Sequence, residues 1–148
     1  MKRFVFRLER LLQWRTLQKE QEEGRLQSLF SEAERLEVER ISLETDARSA
    51  ENSVLRPDVL IEERQALGNY RRFLSGERQR LLRLRKELES RIQVQRQILV
   101  EAERKVEALR NMRDDKSAEW RRQLEKEQGD LVDELVVARW RRPSQSPT

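Results

Sequence analysis

The stretch Asn52-Ser53-Val54-Leu55-Arg56-Pro57-Asp58 decides the fold. Pro57 has no backbone N–H to donate and pushes Arg56 out of the helical region, so a helix arriving from the N-terminal side has to stop here. What arrives is helical by its period. A three-four spacing runs without a slip through Met1, Val5, Leu8, Leu12, Arg15, Lys19, Glu22, Leu26, Leu29, Ala33, Leu36, Arg40, Leu43, Ala47, Ala50 and Val54, and twelve of these sixteen positions are apolar. That is the seam of a coiled coil, weakest from Arg15 to Glu22.

Beyond Pro57 a second helix is expected, with Asp58, Glu62 and Glu63 placed where the N-terminal dipole favours acids. Leucine recurs every seventh residue at Leu60, Leu67, Leu74, Leu81 and Leu88. The other seam position reads Arg64, Arg71, Arg78 and Arg85, then Ile92, Leu99 and Val106. Gly68-Asn69 and Gly76 weaken its beginning, so its ordered start falls anywhere from Asp58 to Tyr70. After Trp120 the seam shifts by one, to Leu124, Leu131, Leu135 and Ala138, and the helix should end at Arg139-Trp140-Arg141-Arg142 before Pro143. The reading is all-α: a single antiparallel two-helix coiled-coil hairpin over residues 1–142, with helices over 4–54 and 58–142, a turn at 52–58 extending at most to 69, a longer C-terminal helix, and a flexible tail at 143–148.

Charge selects the fold point. Glu20 to Glu39 holds seven acids and two bases, net −5, whereas Arg71 to Arg96 holds nine bases and three acids, net +6. Folding near Arg56-Pro57 lays Glu20–Glu39 against Phe73–Ile92, inside the basic block. Folding at Gly68 would lay the same acids against Gln97–Lys116, which carries five acids and five bases. Exposed ion pairs are worth only about 0.2–1 kcal/mol each, so they choose register more than they stabilise. In this hairpin the first helix is roughly 75 Å long, and helix two beyond about Leu109 has no intramolecular partner for roughly another 50 Å. That overhang carries Met112, Trp120, Leu124, Leu131, Val132, Leu135 and Val136, an apolar stripe that implies a partner surface.

Of the 148 residues 41% are charged and 36% hydrophobic, and none is His or Cys. This removes thiol and imidazole chemistry and the common zinc and iron–sulfur sites. No glycine-rich phosphate loop is present, and no cofactor or metal is expected. The carboxylate pairs Glu22-Glu23, Glu62-Glu63 and Asp133-Glu134 are expected as solvated helix surface, because general acid–base work needs an enclosed site and a two-helix rod offers none. No apolar run reaches a membrane span or resembles a signal peptide, which points to a soluble cytosolic protein without direct membrane insertion. A basic block beside a leucine repeat invites a DNA-binding reading. Here, however, Arg78, Arg80, Arg83 and Arg85 lie inside the seam, whereas a basic zipper carries its basic segment ahead of it, so no nucleic-acid partner is expected.

Several large apolar groups miss the seam: Phe4, Phe6, Trp14, Phe30, Ile41, Tyr70, Phe73, Trp120 and Trp140. Some would cover the edge of the hairpin. Together they exceed what a two-helix seam buries, and aromatics with Arg commonly anchor interfaces. The charge is polar along the chain as well. Met1 to Arg15 is net +4, five bases against Glu9, and Ser42 to Asn69 is net −3, six acids against three bases. Such a chain suits a piece that joins two unlike partners.

Four features in order resemble the flagellar export protein FliJ family, coiled-coil components of the bacterial type III export apparatus. These are Phe4-Val-Phe-Arg-Leu-Glu-Arg-Leu-Leu12, Tyr70-Arg-Arg-Phe73, Ala102-Glu-Arg-Lys-Val-Glu-Ala-Leu109 running on to Trp120, and Asp133-Glu134 followed by Ala138-Arg139 and a basic tail. The resemblance implies a non-enzymatic stalk-like coiled coil, similar to the central stalk of rotary ATPases. Such a stalk binds the hexameric flagellar export ATPase, promotes its assembly and activity, and contacts the membrane-embedded export gate protein and, in some members, export chaperones. It would be cytoplasmic, held peripherally at the inner face of the cell membrane through the apparatus, in the service of flagellum biogenesis and hence motility and chemotaxis. Phe4, Phe6 and Leu8, with the segment Asp133, Glu134, Arg139 and Trp140, would face the ATPase, and Tyr70 and Phe73 the gate. Trp14, Trp120 and Leu131 complete the expected partner-binding set. The free chain is expected to be a monomer at low concentration. Two other classes remain open: a homo-oligomeric coiled-coil scaffold or prefoldin-like chaperone, and the basic zipper.

Overall fold

A computed structural model describes residues 2–142, so the expected tail at 143–148 lies outside the described residues. Two helices account for nearly all of them, α1 (Glu9–Val54) and α2 (Ile61–Arg141), and no strand occurs among the described residues. The connection is residues 55–60, with Pro57 near its middle. α2 starts with Arg64 N–H donating to Leu60 O at 3.3 Å and runs unbroken through Gly68 and Gly76. The turn therefore does not extend to 69, and Leu60, expected in the leucine row, is exposed in the connection. By internal contacts the chain forms two compact units. One takes in the described residues up to 17 with those from 103 on, the other residues 18–102.

In the second unit, the α1 seam matches its period. Lys19, Glu22, Leu26, Leu29, Ala33, Leu36, Arg40, Leu43, Ala50 and Val54 are half-buried and Ala47 is buried. On α2 the leucine row is the core: Leu74, Leu81 and Leu88 are each 5% exposed. The second row differs from expectation. Arg64, Arg71, Arg78 and Arg85 are exposed; in the first third of α2 it is Tyr70 and Glu77, three residues past each leucine, that turn inward, and from Ile92 the inward row moves to four residues past. An α-helix drifts relative to a strict seven-residue repeat, and guanidinium groups gain by turning to water, so the buried face swings away from the arginines.

Register in this unit is seen in the pairs that cross between the helices. Arg80 reaches Glu39 at 3.0 Å, Arg71 reaches Glu51 at 3.6 Å and Arg91 reaches Glu32 at 3.9 Å. Glu39 had been expected opposite Phe73; its partner lies one heptad further along. A slip by a whole heptad keeps every seam residue in the seam, so periodicity cannot see it. Charge barely sees it. The block 73–92 has six bases and three acids, net +3, and the block one heptad further on, 80–99, has six bases and two acids, net +4.

In the first unit, Leu12, Val106 and Leu109 form a core at 4%, 2% and 9% exposure, with Leu8 packed against it. α1 begins at Glu9 rather than at residue 4. Its first turn is closed by Glu9 N–H donating to Phe6 O at 3.2 Å and Leu12 N–H to Leu8 O at 2.9 Å. Ahead of it the chain alternates: Phe4 and Leu8 are half-buried and Phe6 is buried, while Val5, expected in the seam, is 79% exposed. This period of two belongs to an extended strap, which a three-four count misreads at Val5.

Candidate partner-binding surfaces

The strap lays its aromatics on α2. Phe4 and Trp120 meet with ring centroids 6.1 Å apart, tilted by 50°. Phe6 and Leu8 join them around an open groove of about 510 Å³ that Met112 and Gln123 also line, and Glu9 pairs with Arg113 at 3.7 Å. The seam of this unit consequently runs on through Arg113 and Trp120 to Leu124, well past Leu109, where the overhang had been expected to begin. Two-ring contacts of this geometry add about 0.5–1.5 kcal/mol to simple burial. Of the residues expected to bind partners, Phe6 and Leu8 thus belong to the core, and Phe4 and Trp120 are half-covered by each other.

Past Leu124 every described residue is exposed. Leu131, Val132, Leu135, Val136 and Val137 show 59%, 56%, 62%, 50% and 47% of their surface, and Trp140 shows 87%. Spacings of three and four put Leu131, Leu135 and Ala138 on one face, flanked by Val132 and Arg139. Asp133, Glu134, Ala138, Arg141 and Arg142 border a shallow hollow beside it. On a helix this polar overall, a stripe of that size in water is a surface awaiting a partner. Arg139 and Arg141 sit in the last turn, where they complement the helix dipole, so their charge also supports the helix that carries the stripe.

In the second unit Tyr70 and Phe73 stack near the connection, centroids 6.3 Å apart, with Tyr70 half-buried and Phe73 59% exposed. A groove of about 910 Å³ runs between the helices where the seam swings, floored by Ala33, Leu36, Leu81, Leu82 and Ile92. Its rims are ion-paired. Arg40 bridges Glu37 at 2.6 Å and Glu44 at 2.9 Å, and the hydrogen bond from Arg40 holds the Glu37 carboxyl below its ordinary range while raising Arg40 in turn. Arg80, joined to Glu77 and then to Glu39, is raised for the same reason. Arg96 lies over the Phe30 ring at 5.6 Å, and Phe30 keeps 39% exposure. Sequence reasoning listed Phe30 but not Leu82, which is 54% exposed beside the groove; the doublet Leu81-Leu82, one in the seam and one just outside it, was the available signal. Trp14, in the first unit, is half exposed, with the Arg15 guanidinium 4.8 Å from its ring centre.

These surfaces are open grooves and stripes. No group of three or more carboxylates gathers to hold a metal among the described residues, and no helix among them is long and apolar enough to cross a membrane. What the arrangement can do is bind helices and apolar protein surfaces.

Comparison with curated proteins and with solved structures returned no match. The family profile of the flagellar FliJ protein, in contrast, matches residues 4–145, a span that takes in the strap, both helices and the exposed stripe. The chain belongs to the FliJ family and is a component of the flagellar protein export apparatus.

Proposed function

We propose that this chain is a non-catalytic coiled-coil subunit that binds the flagellar export ATPase ring and raises its assembly and turnover. The observation that carries the reading is the stripe from Leu131 to Trp140, left exposed on a helix whose seam is half-buried as far as Leu124. Leu131, Asp133, Glu134, Arg139 and Trp140 form the ring-binding surface, an apolar centre with charges of both signs around it, which is the composition of a specific interface. Trp14 and the Phe4–Trp120 pair extend it. Tyr70 and Phe73, the latter exposed beside the connection, contact the membrane-embedded export gate; the half-exposed floor of the 910 Å³ groove receives export chaperones as amphipathic helices. The protein then works in the cytoplasm, held peripherally at the inner membrane face by these contacts.

The mechanism is a population shift. A ring of identical subunits samples several conformations, and a coiled coil that binds one of them better than the rest favours it by the difference in affinity, without contributing any reacting group. Adding the purified chain to its cognate ATPase is expected to raise turnover severalfold, and Leu131→Asp is expected to abolish the rise while leaving helicity intact, since Leu131 is exposed. An unchanged rate with the unaltered chain refutes the reading.

A further inference from the structure

We infer that the stripe on the last turns of α2 also pairs with a second copy of itself, in antiparallel register, to form a weak symmetric dimer of the free chain. The apolar positions are Leu124, Leu131, Leu135 and Ala138, with Gln128 completing the heptad, and all but the half-buried Leu124 are exposed. The flanking charges are separated along the helix. Glu125, Glu127, Asp130, Asp133 and Glu134 stand against Lys126 in the first part, net −4, and Arg139, Arg141 and Arg142 give +3 at the end. A helix with an acidic first half and a basic second half is complementary to itself only when the two copies run in opposite directions.

The heptad fixes the register. Setting Leu131 of one copy opposite Leu135 of the other places Gln128 across from Ala138 and brings Val132 beside Val132 on the two-fold axis. On the edges, Glu125 then neighbours Arg139 of the second copy and Glu127 neighbours its Arg141, each pair occurring twice by symmetry, because antiparallel coiled coils bring like-lettered flanking positions together. One like-charge meeting opposes them, Glu134 against Glu134. The paired length, residues 124–142, is roughly 27 Å, which puts the buried area at the lower end of stable interfaces. The chain is therefore monomeric when dilute and dimeric when concentrated. The inference stands on the exposure and charge order of the stripe and not on the export reading; self-pairing would simply keep the same face covered until another partner takes it.

The test uses the purified full chain alone. Sedimentation equilibrium should show a concentration-dependent monomer–dimer equilibrium, which Leu131→Asp shifts to monomer by at least tenfold in dissociation constant, with unchanged circular dichroism. Arg139→Glu with Arg141→Glu should weaken association by a comparable factor, and adding Glu125→Arg with Glu127→Arg should restore it. The chain has no cysteine, so single cysteines report register: Val132→Cys should oxidise to a covalent dimer, whereas Leu124→Cys, distant from its own copy in this register, should not. A monomer at every concentration up to several hundred micromolar overturns the inference. So does cross-linking at Leu124→Cys as efficient as at Val132→Cys, or charge reversal without effect.

Discussion

Gln95 stands in the leucine row of α2, 9% exposed, and donates its side-chain amide to the backbone carbonyl of Glu22 at 3.2 Å and to the Glu22 carboxylate. It is the polar layer of an otherwise apolar row, and it falls opposite the weakest part of the α1 seam. A polar residue at a core position opposes pairings that leave its amide against an apolar residue, as a slip of one heptad toward Leu29 would. Here it adds a specific partner, Glu22, to what period and a one-charge difference between the blocks provide.

Gln95→Leu should therefore raise stability, by about 1 kcal/mol from the added apolar burial, while loosening register. Cysteines placed at Glu39 and Arg80, joined by a short bis-maleimide, should give one intramolecular product in the unaltered background and a reduced yield with Gln95→Leu. The same yield in both would show that the remaining crossing pairs, Arg71–Glu51 and Arg91–Glu32, hold register without Gln95.

The strap makes a second prediction. Phe6→Ala should cost about 3 kcal/mol, since the ring is 8% exposed. In a background carrying Trp14→Phe and Trp140→Phe, Phe4→Ala should shift Trp120 emission to the red as the indole gains water. Unaltered emission would mean that the two rings do not meet in solution.

Much of this was legible in the sequence, and the misses have physical causes. From Leu8 to Val54 each three-four position is buried or half-buried, because one face of one helix obeys one period. Pro57 located the connection for the reason any proline does. Three things did not follow from period. Periodicity is invariant to a heptad slip, and the two charge blocks differ by a single charge. The arginine row was counted as seam because spacing ignores what a guanidinium prefers; the structure turns it outward and brings Tyr70 and Glu77 in. The strap escaped because Phe4-Val5-Phe6-Arg7-Leu8 fits a strand-like alternation as well as a helical one, and a five-residue stretch is too short for period to decide. Of the candidate site, the stripe past Leu124 was readable as apolar surplus and Leu8 as a seam residue, whereas the burial of Phe6 was not.

Glycine in α2 supplies a third prediction. A methyl group built on Gly68 or Gly76 meets nothing within 4 Å, and neither residue has a positive φ. Each Gly→Ala exchange should stabilise the chain by about 0.5–1 kcal/mol, seen as a higher urea midpoint. A lower midpoint for Gly76→Ala would reveal a partner or packing that this face does not show.

Acid should act through Glu37. Its carboxyl is held below its ordinary value of 4.5 by the hydrogen bond from Arg40. A carboxylate with a lowered folded value contributes stability that is complete above the unfolded value and is lost as pH falls through the folded one. Glu37→Gln should thus be less stable than the unaltered chain at neutral pH, and the difference should shrink as pH drops below 4.5. A constant difference would mean that the pair does not persist in solution. High salt should narrow the gap as well, because both partners are largely exposed.

The meeting of Phe4 with Trp120 joins residues more than a hundred positions apart in the chain. A ribosome must deliver Trp120 before those rings can touch, so the portion around Pro57 has every opportunity to organise first, while Phe4 and Phe6 wait, uncovered, for their counterpart. For a cell making this protein, the vulnerable interval is synthesis itself, when Phe4 and Phe6 are available to any chaperone or aggregate that finds them.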